Sequence, residues 1–229
     1  MKLRDVIFWA HLTAGVTVGM VVLFMSVTGM MLAFRPQIVS IVEQGKYDSV
    51  AAQKNSPVRI FMKDVEGLHR WFGMQGKLKP VAKNIKGVCT IVFLGMIISG
   101  FYLWWPRKKI KLEPALRNKA WDWNRHNVIG FWSAPVLIII TVTGLLMTYL
   151  PKPNQAQAVN KIEVVKEERV KDTPQRKFRK LVRLIHTGEA AGIVGEIIVF
   201  MASGAAVMLV WTGLSMARRR FLSKGESYV

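Results

Sequence analysis

The sequence predicts an all-α membrane protein, a bundle of four transmembrane helices built from two parallel two-helix repeats. Three observations predict it. The 229 residues are 51% hydrophobic, with a mean hydropathy of +0.25, yet the formal net charge is +19. A soluble domain rarely combines these, but a small polytopic membrane protein does so by segregating apolar residues from charges. Four segments reach the roughly 20 apolar residues that a spanning helix needs: 6–34, 87–105, 128–150 and 192–217. The second pair of segments also repeats the first. His11 is followed by Gly15 and Gly29, and His126 by Gly130 and Gly144, at the same intervals.

Span 1 opens with His11 about one turn inside its end, and Gly15 and Gly19 give it a small-residue face open to another helix or a flat ligand. Arg35-Pro36 ends it without the small-residue pattern of a signal-peptidase site, so it reads as a retained helix. Residues 39–43 extend it a little, and 48–57 form a polar loop. Residues 60–72 have an amphipathic pattern, with Phe61, Val65, Leu68, Trp71 and Phe72 as the apolar positions, and suit a helix at the membrane surface. His69 lies in this helix. Gly73, Gly76 and Pro80 interrupt the chain before span 2, which closes in Ser99-Gly100 and Trp104-Trp105-Pro106. Trp121, Asp122, Trp123 and Arg125 then precede His126 in a loop. Pro135 kinks span 3. A charged stretch ends in residues 178–186, basic and apolar together, and Ile185-His186-Thr187-Gly188-Glu189 leads into span 4.

Four spans put both termini and the short loop 106–127 on one side. That side carries Lys2, Arg4, Arg107, Lys108, Lys109, Arg218, Arg219 and Arg220, which by the positive-inside rule is the cytoplasm. Trp9, Trp104, Trp105, Trp121, Trp123, Trp132 and Trp211 lie at or near span ends, as interfacial aromatics do. The reading is a single transmembrane domain, 1–229. Repeat one is 6–105 with outer loop 35–86, and repeat two is 126–217 with outer loop 151–185. His69 and His186 are a second matched pair, as are Ser99-Gly100 and Thr212-Gly213. Two spans per repeat give both halves the same orientation, related by a pseudo-two-fold axis along the membrane normal. Such an axis sets His11 against His126 on the cytoplasmic side and His69 against His186 on the outer side.

All four histidines of the chain fall into this pattern. Taken singly, a histidine near a helix end is most often a satisfied interfacial residue. Two facing imidazoles suit the axial positions of a haem iron, and filling both favours electron transfer over oxygen binding. Gly15 and Gly130 leave room for a macrocycle between helices. Copper, zinc or no metal remain open from the residues alone, although a closed zinc site needs more ligands than a pair offers. No Cys-x-x-Cys-His occurs, so a haem here is b-type, and the single Cys89 excludes an internal disulfide framework. Arg125 and Asp122 are candidates to orient His126 or, for Arg125, to contact a haem propionate. Glu189 is a candidate to orient His186. Glu196 is a carboxylate inside span 4, where acids are costly and often functional. The twelve methionines, spread through the spans, read as packing.

At these residues the sequence resembles the PepSY-associated transmembrane family of bacterial inner-membrane proteins. The resemblance rests on the His-x-x-x-Gly openings at His11 and His126, Leu68-His69-Arg70, Ser99-Gly100 with Trp104-Trp105-Pro106-Arg107, and Ile185-His186-Thr187-Gly188-Glu189. It implies two b-haems with bis-histidine ligation, His11 with His126 and His69 with His186. It also implies reduction of ferric iron, as a chelate or siderophore complex, at the periplasmic face. Larger members carry folded PepSY domains in their outer loops, whereas these loops are short, basic and poor in strand signals. Simple ferric chelates feeding a ferrous iron transporter are therefore expected at least as much as bulky siderophores. No Gly-rich dinucleotide fingerprint occurs, so electrons would come from a flavin reductase, reduced flavin or quinol. The lipid membrane is the expected environment, and no nucleic acid is expected as a partner. Two other readings stand beside this one: a haem b anchor cytochrome passing electrons between quinol and a partner redox subunit, and a non-redox accessory protein of an iron transporter.

Overall fold

The computed structural model describes residues 2–44, 55–105, 111–112, 118–150 and 173–222; among these every regular element is helical. In chain order they are α1 (Leu3–Ala33), α2 (Arg35–Glu43), α3 (Pro57–Trp71), α4 (Lys79–Trp104), α5 (Asn118–Tyr149), α6 (Pro174–Thr187) and α7 (Gly192–Leu222). Short 3₁₀ turns at Gly76–Leu78 and Glu189–Ala191 lead into α4 and α7. α1, α4, α5 and α7 contain the four segments long and apolar enough to cross a membrane. They are apolar nearly all round, and most of their surface stays outside the bundle, as expected when lipid rather than water is the solvent.

The long helices pack in the cyclic order α1–α4–α5–α7, each antiparallel to its neighbours, which sets α1 diagonal to α5. A small core of Leu137, Ala202 and Ala206, with Phe93, Ile97 and Leu209 around it, fills the middle. The bundle has two ends. The near end bears Leu3, Trp104, Asn118 and Leu222, and the opposite, far end carries α2, α3 and α6. α3 rests on α1 and α4, and α6 on α5 and α7.

The four expected spans all form, but their helices overrun the apolar segments. α5 starts at Asn118, so Trp121, Asp122, Trp123 and Arg125 are helical rather than part of a loop. Nothing between Asn118 and Asn127 breaks a helix, and hydropathy marks the apolar layer rather than the end of the hydrogen-bonded ladder. Pro80 does not interrupt the approach to α4 but occupies its first turn, where a missing N–H costs nothing. α7 continues through Arg218, Arg219 and Arg220. α5 also runs through Pro135 without a break. The remaining parts of the expected loops, 45–54, 106–110, 113–117 and 151–172, lie outside the described residues.

α3 and α6 begin alike. Ser56 and Thr173 cap them by accepting from the amides of Arg59 and Arg176, and each is followed by proline in the first turn. α3 turns Met62, Val65 and His69 inward, while Phe61 and Leu68 of the expected apolar face stay exposed. α2 is tied to α3 by ion pairs. Arg59 grips Glu43 with Nε and Nη2, each at 2.7 Å, and Ser56 donates to the same carboxylate. Glu66 takes Arg35 and Arg70, at 2.6 and 2.7 Å. The Arg59 hydrogen bond holds Glu43 below the ordinary carboxylate range. Burial pushes Glu66 the other way, but Arg70 and Arg35 outweigh it and lower it too.

Candidate metal centre: four histidines on four hydroxyl-glycine steps

Each histidine is held by a hydroxyl on a neighbouring helix. On α1, His11 Nδ1 lies 2.9 Å from Ser99 Oγ of α4. On α5, His126 Nδ1 lies 3.0 Å from Thr212 Oγ1 of α7. At the far end His69 Nδ1 of α3 lies 2.8 Å from Thr28 Oγ1 of α1, and His186 Nδ1 of α6 lies 3.1 Å from Thr143 Oγ1 of α5.

The partners of those hydroxyls decide which ring nitrogen carries the proton. Each hydroxyl has one hydrogen, and it points back along its own helix. Thr28 donates to Phe24 O at 2.8 Å, Thr143 to Ile139 O at 2.6 Å, Thr212 to Met208 O at 2.8 Å and Ser99 to Met96 O at 3.1 Å. The hydroxyl oxygen is therefore left to accept from the ring. A backbone carbonyl three residues before each hydroxyl also receives a hydrogen bond from the ring: Met96, Met25, Leu209 and, at 3.0 Å from His186 Nδ1, Ile140. A carbonyl can only accept, so Nδ1 holds the hydrogen and Nε2 keeps its lone pair for a metal. Outside the spans, burial pushes His69 down to about 3, with His186 and Lys86 adding to the effect, and burial lowers His186 as well. Both far-end rings are thus neutral near pH 7.

The residue after each hydroxyl is glycine, and the ring lies against it. A Cβ on Gly144, Gly100, Gly29 or Gly213 would stand 3.0, 3.2, 3.5 or 3.5 Å from Cε1 of His186, His11, His69 or His126. A Cβ on Gly144 or Gly100 would crowd the imidazole and force it to shift, whereas one on Gly29 or Gly213 would only reach ordinary van der Waals contact. At α6, Gly188 (φ +83°) and Gly195 of α7 close on each other. A Cβ on Gly188 would come within 2.4 Å of the Gly195 carbonyl, so their approach fixes His186 two residues away.

Across the diagonal, the His11 and His126 rings face each other with centroids 6.3 Å apart and planes at 88°. Two imidazoles on opposite sides of one metal, each bonded at about 2 Å with the ring centre about 1 Å further back, need about that separation. A cavity of about 960 Å³ opens beside them, walled by Gly15, Gly130, Gly100 and Gly213 and by Trp104 stacked on Phe131 at 4.4 Å. No group of three or more His, Cys, Asp or Glu side chains capable of holding a metal occurs among the described residues. The donor set is therefore two imidazoles 6.3 Å apart, each with Nδ1 already occupied, beside a large apolar space, which suits a flat macrocycle that brings its own remaining ligands.

The matched model is described as the PepSY-associated TM region, and it covers residues 8–60 and 45–220. The chain belongs to that family. Its matched regions contain all four histidines, their hydroxyl partners and the glycines beside them. No curated protein matches the chain.

Within this PepSY-associated membrane protein the other expected site residues divide between cavity and surface. Gly15 and Gly130 line the cavity. Arg125 does not: its guanidinium lies 5.3 Å over the Trp121 ring, with Nη2 3.9 Å from Met208 Sδ. Asp122 accepts from Ser215 at 2.9 Å and pairs with Arg219 at 3.1 Å, and the hydroxyl that holds His126 is that of Thr212. Glu189 pairs with Arg183 at 3.5 Å, and the orienting contact of His186 comes from Thr143 instead. Glu196 is buried and accepts from Gln37 Nε2. The orienting hydroxyls of Thr28, Ser99, Thr143 and Thr212 were visible in the sequence only as a repeated Ser/Thr-Gly step, without a partner.

Proposed function

We propose that the protein is a dihaem b-type electron-transfer protein of the bacterial inner membrane, with both termini cytoplasmic, that reduces chelated ferric iron at the periplasmic face. One observation carries the reading: four imidazoles, each with Nδ1 anchored and Nε2 free, gathered at two levels near opposite ends of the bundle. Recurrence of the same His–hydroxyl–glycine contact at matched positions supports a pseudo-two-fold relation between residues 6–105 and 126–217. His11 with His126 would hold one haem and His69 with His186 the other. A b-haem held by these imidazoles would supply a one-electron carrier. The chain's own part is to fix the tautomer, hold the rings apart at the metal's span, and keep the near site apolar. Two levels divide a roughly 30 Å hydrocarbon layer into shorter electron steps.

At the far end a groove of about 530 Å³ between α2 and α3 is lined by Arg35 and Arg59, which are paired with Glu66 and Glu43, and by Lys63, whose charge favours an anionic ferric chelate as substrate. A flavin, flavin reductase or quinol on the near side would be the donor, and a ferrous transporter a fitting consumer of the product. The test is purified protein in liposomes with reduced flavin on one side and ferric citrate on the other. Ferrous iron should form only when protein is present, and His11→Ala and His186→Ala should each abolish it. Haem-loaded protein that reduces no chelate, but passes electrons between quinol and a redox subunit, would sink the ferric reading.

A further inference from the structure

Apart from His11, His126 and Asn127, the near-end cavity is mainly apolar, with its charges carried by residues near the helix ends. Among the described residues, two cations line it, Arg4 of α1 and Arg220 of α7, with Asp5 as the one carboxylate, so the mouth is net positive. Arg4 precedes His11 by seven residues, two helical turns on the same face and about 10 Å along the axis. Arg220 comes seven residues after Gly213, the glycine against which His126 rests. Both guanidinium groups thus stem from the same height beyond the histidine pair, on two helices that pack together.

Their present contacts leave most donors free. Arg220 lies 4.8 and 4.9 Å over the rings of Phe8 and Trp9, a contact that positions the cation without consuming its N–H groups. Arg4 gives Nη2 to Leu103 O at 3.2 Å and keeps its other donors. Neither forms an ion pair among the described residues. Two preset forks at one height suit two carboxylates, and charge-assisted Arg–carboxylate bonds are the strong class of hydrogen bond.

We propose that Arg4 and Arg220 form the carboxylate-binding pair of the near site, gripping the two acid groups of a planar dicarboxylate macrocycle held between His11 and His126, with those acids turned toward the near end. This rests on the haem reading of the histidine pairs. It assigns to Arg4 and Arg220 the contact that sequence alone offered to Arg125.

The experiment uses full-length protein from haem-deficient cells, with His69→Ala and His186→Ala so that only the near pair binds. It is titrated with iron protoporphyrin IX or its dimethyl ester and followed by the Soret band. The free diacid should bind on the order of tenfold or more tighter than the ester. Arg4→Gln with Arg220→Gln should erase that preference while leaving ester binding unchanged, and Arg125→Gln should keep it. Lysine at both positions should restore part of it. Equal affinity for diacid and ester, or a preference that survives the double glutamine change, overturns the proposal. Failure of the parent to bind either porphyrin overturns the haem reading itself, and the arginine pairing falls with it.

Discussion

A histidine that must present one nitrogen to a metal needs its other nitrogen occupied, and each ring here uses the same device. The hydroxyl sends its hydrogen to its own helix and accepts from Nδ1; the glycine next in the chain lets the Cε1 edge of the ring come close to the backbone. Removing one hydroxyl, as in Thr28→Ala, should weaken metal retention at that level by about 10–100-fold, the usual cost of losing a ligand's outer hydrogen bond. The other level should be untouched, as read by titration of each haem. The glycines allow a graded version. Gly144→Ala and Gly100→Ala, with Cβ 3.0 and 3.2 Å from Cε1, should disturb their sites more than Gly29→Ala and Gly213→Ala at 3.5 Å. Equal effects at all four would show that ring contact is not what these glycines serve. At this scale the sequence was half legible. The histidines stood out because all four recur. The hydroxyls did not, because the chain has six Ser/Thr-Gly steps and only four of them touch a histidine. Which four depends on how helices rotate against one another, and that rotation is not written in local spacing. Arg125 drew notice by adjacency to His126, but consecutive helical residues point about 100° apart, and Arg125 turns to Trp121.

At the scale of elements, α3 and α6 deliver the far-end histidines, and both depend on how they end. α6 stops at Gly188, whose φ of +83° costs an L-residue about 1–2 kcal/mol before any clash. Gly188→Ala adds a collision with the Gly195 carbonyl, so α6 should lift from α7. The expected outcome is loss of the far-end haem signal with the near-end one retained; loss of both, or neither, contradicts the assigned role of α6. The α2–α3 tie makes a separate pH prediction. Glu43 and Glu66 are held below their ordinary range in the fold, so their stabilisation is present above the unfolded value and fades as pH falls through the folded one. Hydrogen exchange in α2, corrected for intrinsic rates, should therefore lose protection on acidification below about pH 4, while α1 and α5 stay protected. Element types were legible because apolar runs of spanning length have few alternatives. Boundaries were not: polar first turns such as 118–127 are helical by backbone continuity with the apolar run that begins at Val128.

At the scale of the whole molecule, four apolar helices in cyclic order place two histidine pairs near opposite ends, one pair across the α1–α5 diagonal. On the dihaem proposal, that arrangement makes two chemically separable cofactor sites per chain. The most direct measurement is the absorption spectrum and haem content of protein purified from haem-replete cells. Two bis-histidine sites predict Soret and α bands that sharpen and shift on dithionite reduction, non-covalent b-haem at two per chain, and one per chain in His11→Ala or His126→Ala. A colourless protein, or one haem lost equally on pairing His11→Ala with His126→Ala and on pairing His11→Ala with His186→Ala, would contradict them.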